Sequence, residues 1–126
     1  MRKLLTVTGV IGASLLGAGA AAAPVIPAAC SAQAAAVAAD KAKLATDRAT
    51  INADRATVKA DRAKLEADRD AHNTGAIAAD KAKLKADEAT LDQAQRTRRL
   101  DERQLDRDQH LLHKCIKAHS AHHGEQ

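Results

Sequence analysis

Between Asp40 and Asp68 the chain writes one seven-residue unit four times and begins a fifth: DKAKLAT, DRATINA, DRATVKA, DRAKLEA, then Asp68-Arg69. Each unit opens with Asp and a basic residue, has Ala third and an aliphatic residue fifth. The unit returns at Asp80 as DKAKLKA and DEATLDQ and decays towards the C-terminus. An internal repeat of this period constrains architecture before any other signal. A seven-residue spacing of apolar residues is that of packed helices, and Ala is the strongest helix former. The fold class expected is therefore all-α.

On a helix turning about 100° per residue, Val37, Leu44, Ile51, Val58 and Leu65 form one narrow ridge. Asp and the Lys or Arg after it fall on either side of that ridge, and the alanines opposite. With one large apolar residue per unit, the carboxylates are expected on solvated helix flanks. The repeat is then interrupted. Asp68 and Asp80 are out of phase by two residues, with His72-Asn73-Thr74-Gly75 between them. A continuous helix would swing the ridge by about 100° across this gap. Asn and Gly tolerate the positive φ that closes a turn, so the break predicts an antiparallel two-helix hairpin folded between Thr74 and Gly75. His72 then faces Ile77, Leu65 faces Leu84, Val58 faces Leu91, Leu44 faces Leu105 and Val37 faces Leu112. Ile51 meets Arg98 in the one discordant layer, which Leu100 is placed to help cover.

The expected organisation is a signal peptide over 1–23, a Pro-containing linker over 24–30 and helix 1 over 31–72. A turn over 73–76, helix 2 over 77–119 and a His-rich tail over 120–126 complete it. The leader has a basic start at Arg2 and Lys3, an apolar run from Leu4 to Leu16, and small residues from Gly17 to Ala23 for cleavage. Export is the expectation, to the cell envelope or the extracellular space, with no stable membrane span after cleavage. A lipid anchor at Cys30 is disfavoured because Pro27 stands where such signals carry an aliphatic residue.

The chain has two cysteines. In an exported chain they are expected to oxidise, and the hairpin brings Cys30 to within about a turn of Cys115. Some unwinding around Cys30 would close the remaining gap, and the resulting 85-residue loop corresponds to roughly 4.5 kcal/mol in the chain-entropy model.

His110, His113, His119, His122 and His123 crowd the last seventeen residues. Imidazole is the commonest ligand for zinc or copper, so these five are the candidate metal ligands, although their spacing matches no closed tetrahedral site. No resident cofactor is expected beyond such a Zn or Cu ion. The chain contains no Phe, Tyr or Trp, which leaves little from which to build a globular core or a base-stacking surface. Without Arg2 and Lys3 its basic and acidic residues nearly balance, and they alternate, so nucleic-acid binding is not expected. No phosphate loop, nucleophile elbow or Ser-centred triad is present. The expected function is a non-enzymatic spacer or interaction module, partnered by a protein or by itself. The alternatives are a metal-binding or metal-buffering protein that uses the His cluster, and a stress-protectant chain that is disordered until dried or bound.

Overall fold

The computed structural model describes residues 25–122. The predicted leader over 1–23 and the end of the tail, His123 included, lie outside them. A 3-10 turn at Ala28–Cys30 leads into helix α1, Ser31–Asp70, which is followed by α2, Thr74–His122. The helices pack against each other as a hairpin. At 40 residues, α1 is about 60 Å long. Among the described residues no helix is long and apolar enough to cross a membrane.

The reversal differs in detail from the sequence expectation. It occupies Ala71–Asn73, so α1 ends at Asp70 and α2 begins at Thr74. The amide of His72 donates to the Arg69 carbonyl and that of Asn73 to the Asp68 carbonyl, each at 3.0 Å. This pair of bonds is the Schellman ending, which satisfies carbonyls that the last helical turn leaves free. Its left-handed residue is His72, with φ of 54°, and not Gly75, so His72 lies exposed in the turn and not on α1 as the seam partner of Ile77. Asn73 then starts α2: its side-chain Oδ1 accepts from the Ala76 amide at 3.4 Å, as an N-cap Asn does. One residue thus closes α1 and opens α2, which allows so short a connection. Gly75 lies inside the first turn of α2, and a Cβ added there would meet nothing within 4 Å.

The core is one seam. Its buried apolar residues are Cys30, Val37, Leu44, Ile51, Val58 and Leu65, all contributed by α1 or the turn before it. The facing aliphatics of α2, Ile77, Leu84, Leu91, Leu105 and Leu112, remain half-buried. Between the aliphatic layers lies a finding that the hydropathy pattern hides. Asp40, Asp61 and Asp80 are buried, at 5%, 8% and 7% exposure, and Asp47, Asp54, Asp68, Asp87, Asp101 and Asp108 are half-buried. These carboxylates are therefore not on solvated flanks, whereas Glu66, Asp70, Asp92 and Asp106 are exposed. Packing two helices at a seven-residue repeat needs two inward positions per unit, and Asp takes the second, three residues after each aliphatic. The basic residue beside it is long enough to reach solvent and stays exposed. Arg98 does occupy the seam position opposite Ile51. Its Nε lies 3.2 Å from Glu102 Oε1 but without hydrogen-bond alignment. Leu100 gives that layer no cover, pointing outward at 59% exposure.

Ile51, 2% exposed, is the best covered aliphatic side chain. Ile51→Ala should cost about 2–4 kcal/mol, and Leu84→Ala, half-exposed, less than half of that, both read by urea denaturation of the oxidised chain. The turn gives a second test. Gly75→Ala should stabilise by about 0.5–1 kcal/mol, and His72→Gly should also raise the melting temperature by relieving the left-handed residue. A loss on Gly75→Ala would mean that the reversal uses Gly75 after all.

Candidate functional site: the carboxylate seam and its cysteine end

The repeat places Asp opposite Asp. Asp68 and Asp80 are joined by Lys64, whose Nζ donates to Asp68 Oδ2 at 2.7 Å and to Asp80 Oδ1 at 2.9 Å. One layer further from the turn, Lys83 Nζ joins Asp87 Oδ2 at 2.6 Å to Asp61 Oδ1 at 2.9 Å. In each case the lysine is four residues before one aspartate on its own helix and reaches across to the other. Arg62 adds an outer pair with Glu88 at 2.8 Å. Hydrogen bonds to Lys64, then to Asp80, hold the Asp68 carboxyl below its ordinary value. Lys83, then Asp61, do the same for Asp87. The Lys83 ammonium is pushed up to about 12 by Asp87 and Asp61. Both lysines are more than half exposed, so water screens these pairs. They align the helices more than they add stability.

The other end of the seam is wired differently. Asp40 faces Asp108 and Asp47 faces Asp101, and no lysine bridges either pair. A hydrogen bond shared with Asp108 holds the Asp40 carboxyl above its ordinary value, with burial and the Asp108 charge adding to it. Burial leads for Asp47, followed by the hydrogen bond and charge of Asp101, against Arg98 and Lys43. Asp108 is held low, first by the Gln104 amide, which donates to its Oδ2 at 3.1 Å. The hairpin is only two helices thick, so water remains close even to Asp40. In the middle Asp54 has Ala94 opposite, and an open groove is lined by Asp47, Thr50, Asp54, Thr90, Ala94 and Thr97.

The seam ends in sulfur. Cys30 and Cys115 form a disulfide with a Cα separation of 5.9 Å. The unwinding expected near Cys30 takes the form of the 3-10 turn, in which its amide donates to the Pro27 carbonyl at 2.8 Å. His119 joins the pair. A nitrogen of His119 and the two Sγ atoms all lie within 4.8 Å of one another. The repeat accounts for this placement, because His119 is seven residues beyond Leu112 and takes the next seam position. By sequence His119 groups with the other C-terminal histidines. The structure separates that cluster: His110 and His113 are exposed on α2, His122 ends the helix, and His119 stands with the cysteines.

These features define a disulfide-closed antiparallel helical hairpin with a carboxylate-lined seam. Comparisons with family models, with curated proteins and with solved structures found nothing that matches the chain.

The facing carboxylates set a pH dependence. Asp40 and Asp47 hold their protons above the ordinary value of 3.8, so the folded chain binds more protons than the unfolded one just above that value. Their contribution is present below it and is lost as pH rises through their folded values. Asp68, Asp87 and Asp108 behave oppositely, contributing above 3.8 and losing that contribution as pH falls through their lowered values. The carboxylate contribution should therefore peak near pH ~4. Asp40→Asn should melt higher than the parent at neutral pH, and the gap should close by pH ~4, as followed by circular dichroism. The Lys83 contribution is present below 10.5 and is lost as pH rises towards about 12.

Proposed function

We propose that the chain is an exported, non-enzymatic structural element: a disulfide-closed helical rod that serves as a spacer or as an interaction module of the cell envelope or extracellular space. The observation that carries this reading is the closure of the hairpin at both ends, by the three-residue reversal and by Cys30–Cys115. Closure at both ends fixes a length of about 60 Å and lets the outward surface vary without loss of the scaffold. That surface is a regular alternation of Ala with Arg or Lys, as at Arg48-Ala49, Arg55-Ala56 and Arg62-Ala63, all exposed. Such a surface favours helix-to-helix contact with a protein partner or a second hairpin over recognition of a small ligand. The leader over 1–23, read from sequence alone, supports export, and a disulfide is compatible with an oxidising compartment.

The test is an intact mass of the protein recovered from its own cells without reductant, together with helicity in dilute buffer. A chain shortened at the leader, refractory to alkylation until reduced, strongly helical and melting lower after reduction, supports the reading. Full-length protein with free thiols inside the cell overturns export. Low helicity without a cooperative melt overturns the rod in favour of the stress-protectant alternative.

A further inference from the structure

The end of the seam holds a second chemistry. Cys30 Sγ, Cys115 Sγ and a His119 ring nitrogen already lie within 4.8 Å of one another. A tetrahedral zinc ion with Zn–S near 2.3 Å and Zn–N near 2.0 Å needs its ligand atoms roughly 3.3–3.8 Å apart. We propose that, once the Cys30–Cys115 bond is reduced, Cys30, Cys115 and His119 bind one zinc-class ion within the chain, so that a metal replaces the covalent staple. This does not rest on export or on the spacer reading.

Three features carry it. The ligands come from both arms of the hairpin: Cys30 from the turn before α1, Cys115 and His119 from α2. Metal binding there therefore does the mechanical work that the disulfide does. Cys115 and His119 are four apart on one helix and share a face, which is the spacing by which a helix offers two ligands to one ion. Two thiolates with an imidazole form a soft set that selects zinc or a comparable thiophilic ion over magnesium or calcium. Cys30 is fully buried and Cys115 and His119 half-buried, so the centre is shielded on the α1 side and open at the end of the hairpin. Three protein ligands leave a fourth position for water.

The steps balance. A phosphine reductant attacks one sulfur and the S–S bond breaks. Two electrons pass from phosphorus, water supplies the oxygen of the phosphine oxide, and the two sulfurs leave as thiols. Zinc then displaces two protons, one from each thiol, and binds the neutral His119 nitrogen. Metal affinity should accordingly fall as pH falls.

The experiment uses the full chain, oxidised and phosphine-reduced, titrated with zinc by calorimetry and with cobalt by visible absorption. The expected result is one ion per reduced chain, with a thiolate-to-cobalt charge-transfer band and tetrahedral d–d bands. Zinc should also return the melting temperature of the reduced chain towards that of the oxidised one. His119→Gln should weaken binding by the reduced chain at least ~10-fold, while its oxidised form stays helical under the disulfide. His110→Ala with His113→Ala should leave binding within about twofold. His119→Gln keeps both cysteines, so it folds under its disulfide and is then reduced and titrated in the same way as the parent. The proposal is overturned if the reduced chain binds no ion, or if His119→Gln binds as tightly as the parent. It is equally overturned if the oxidised chain binds with the same affinity, which would place the ion on the other histidines. Zinc that joins two chains in ultracentrifugation would also overturn it.

Discussion

Two carboxylates that face each other across a helix–helix seam repel unless a cation or a proton stands between them. That constraint organises this hairpin. The second inward position of almost every repeat is Asp, and the facing aspartate pairs cost least where something settles their charge. Near the turn Lys64 and Lys83 do so, each spanning a pair. Near the cysteines no lysine spans the Asp40–Asp108 and Asp47–Asp101 pairs; a hydrogen bond to Asp108 holds Asp40, and burial followed by Asp101 holds Asp47, above the ordinary carboxyl value. Asp suits this position where Glu would not. Its short side chain keeps the carboxylate within the seam, while the basic residues beside it extend to solvent.

The two arrangements differ in strength, and the rest of the structure compensates. A lysine clamp works across the whole neutral range, whereas Asp40 and Asp47 lose their contribution as pH rises. The end of the rod with the weaker electrostatics is the end that carries the disulfide. The opposite end needs no disulfide because the backbone itself joins the helices there over three residues, shaped by the Schellman ending and the Asn73 cap. Repeated heptads slip easily, since a shift of seven residues restores aliphatic against aliphatic. The short reversal fixes the register from one end and Cys30–Cys115 from the other. Between them Ile51–Arg98 and Asp54–Ala94 interrupt the regular alternation and leave the groove at mid-length.

Much of this was legible in the sequence. The break in phase between Asp68 and Asp80 pointed to the reversal, the facing of aspartates agrees with the expected pairing of Leu65 with Leu84, and the cysteines met once the 3-10 turn closed the gap of about a turn that their spacing left. What escaped was whatever a hydropathy wheel cannot see. By hydropathy Asp belongs on the flank, yet Asp stands three residues after the aliphatic in unit after unit while the position after it varies between Lys, Arg and Glu. That rigidity was the available sign of an inward position. The left-handed residue fell on His72 because the helix ended earlier than the nearest glycine, and the hydrogen bonds of the ending outweighed the modest strain of a non-glycine there. Leu100 turned outward because its position is two residues past the seam. His119 was hidden among neighbouring histidines, although counting seven from Leu112 assigns it to the seam.

The location of the Cys30–Cys115–His119 cluster gives the hairpin a distinctive mechanical property. The chain enters the rod at Cys30 and the second helix nears its end just past His119, so both arms of the rod depend on the chemistry of this one corner. Opening the corner removes the long-loop constraint on the unfolded chain and exposes first the layers that no lysine bridges, Asp40–Asp108 and then Asp47–Asp101. Separation of the arms would thus begin at the cysteines and run towards the lysine clamps, which resist it. A corner that sulfur can close covalently, and that the same atoms can close through a soft metal ion, lets a single fold persist across a change of redox state. The asymmetric seam sets where it yields first.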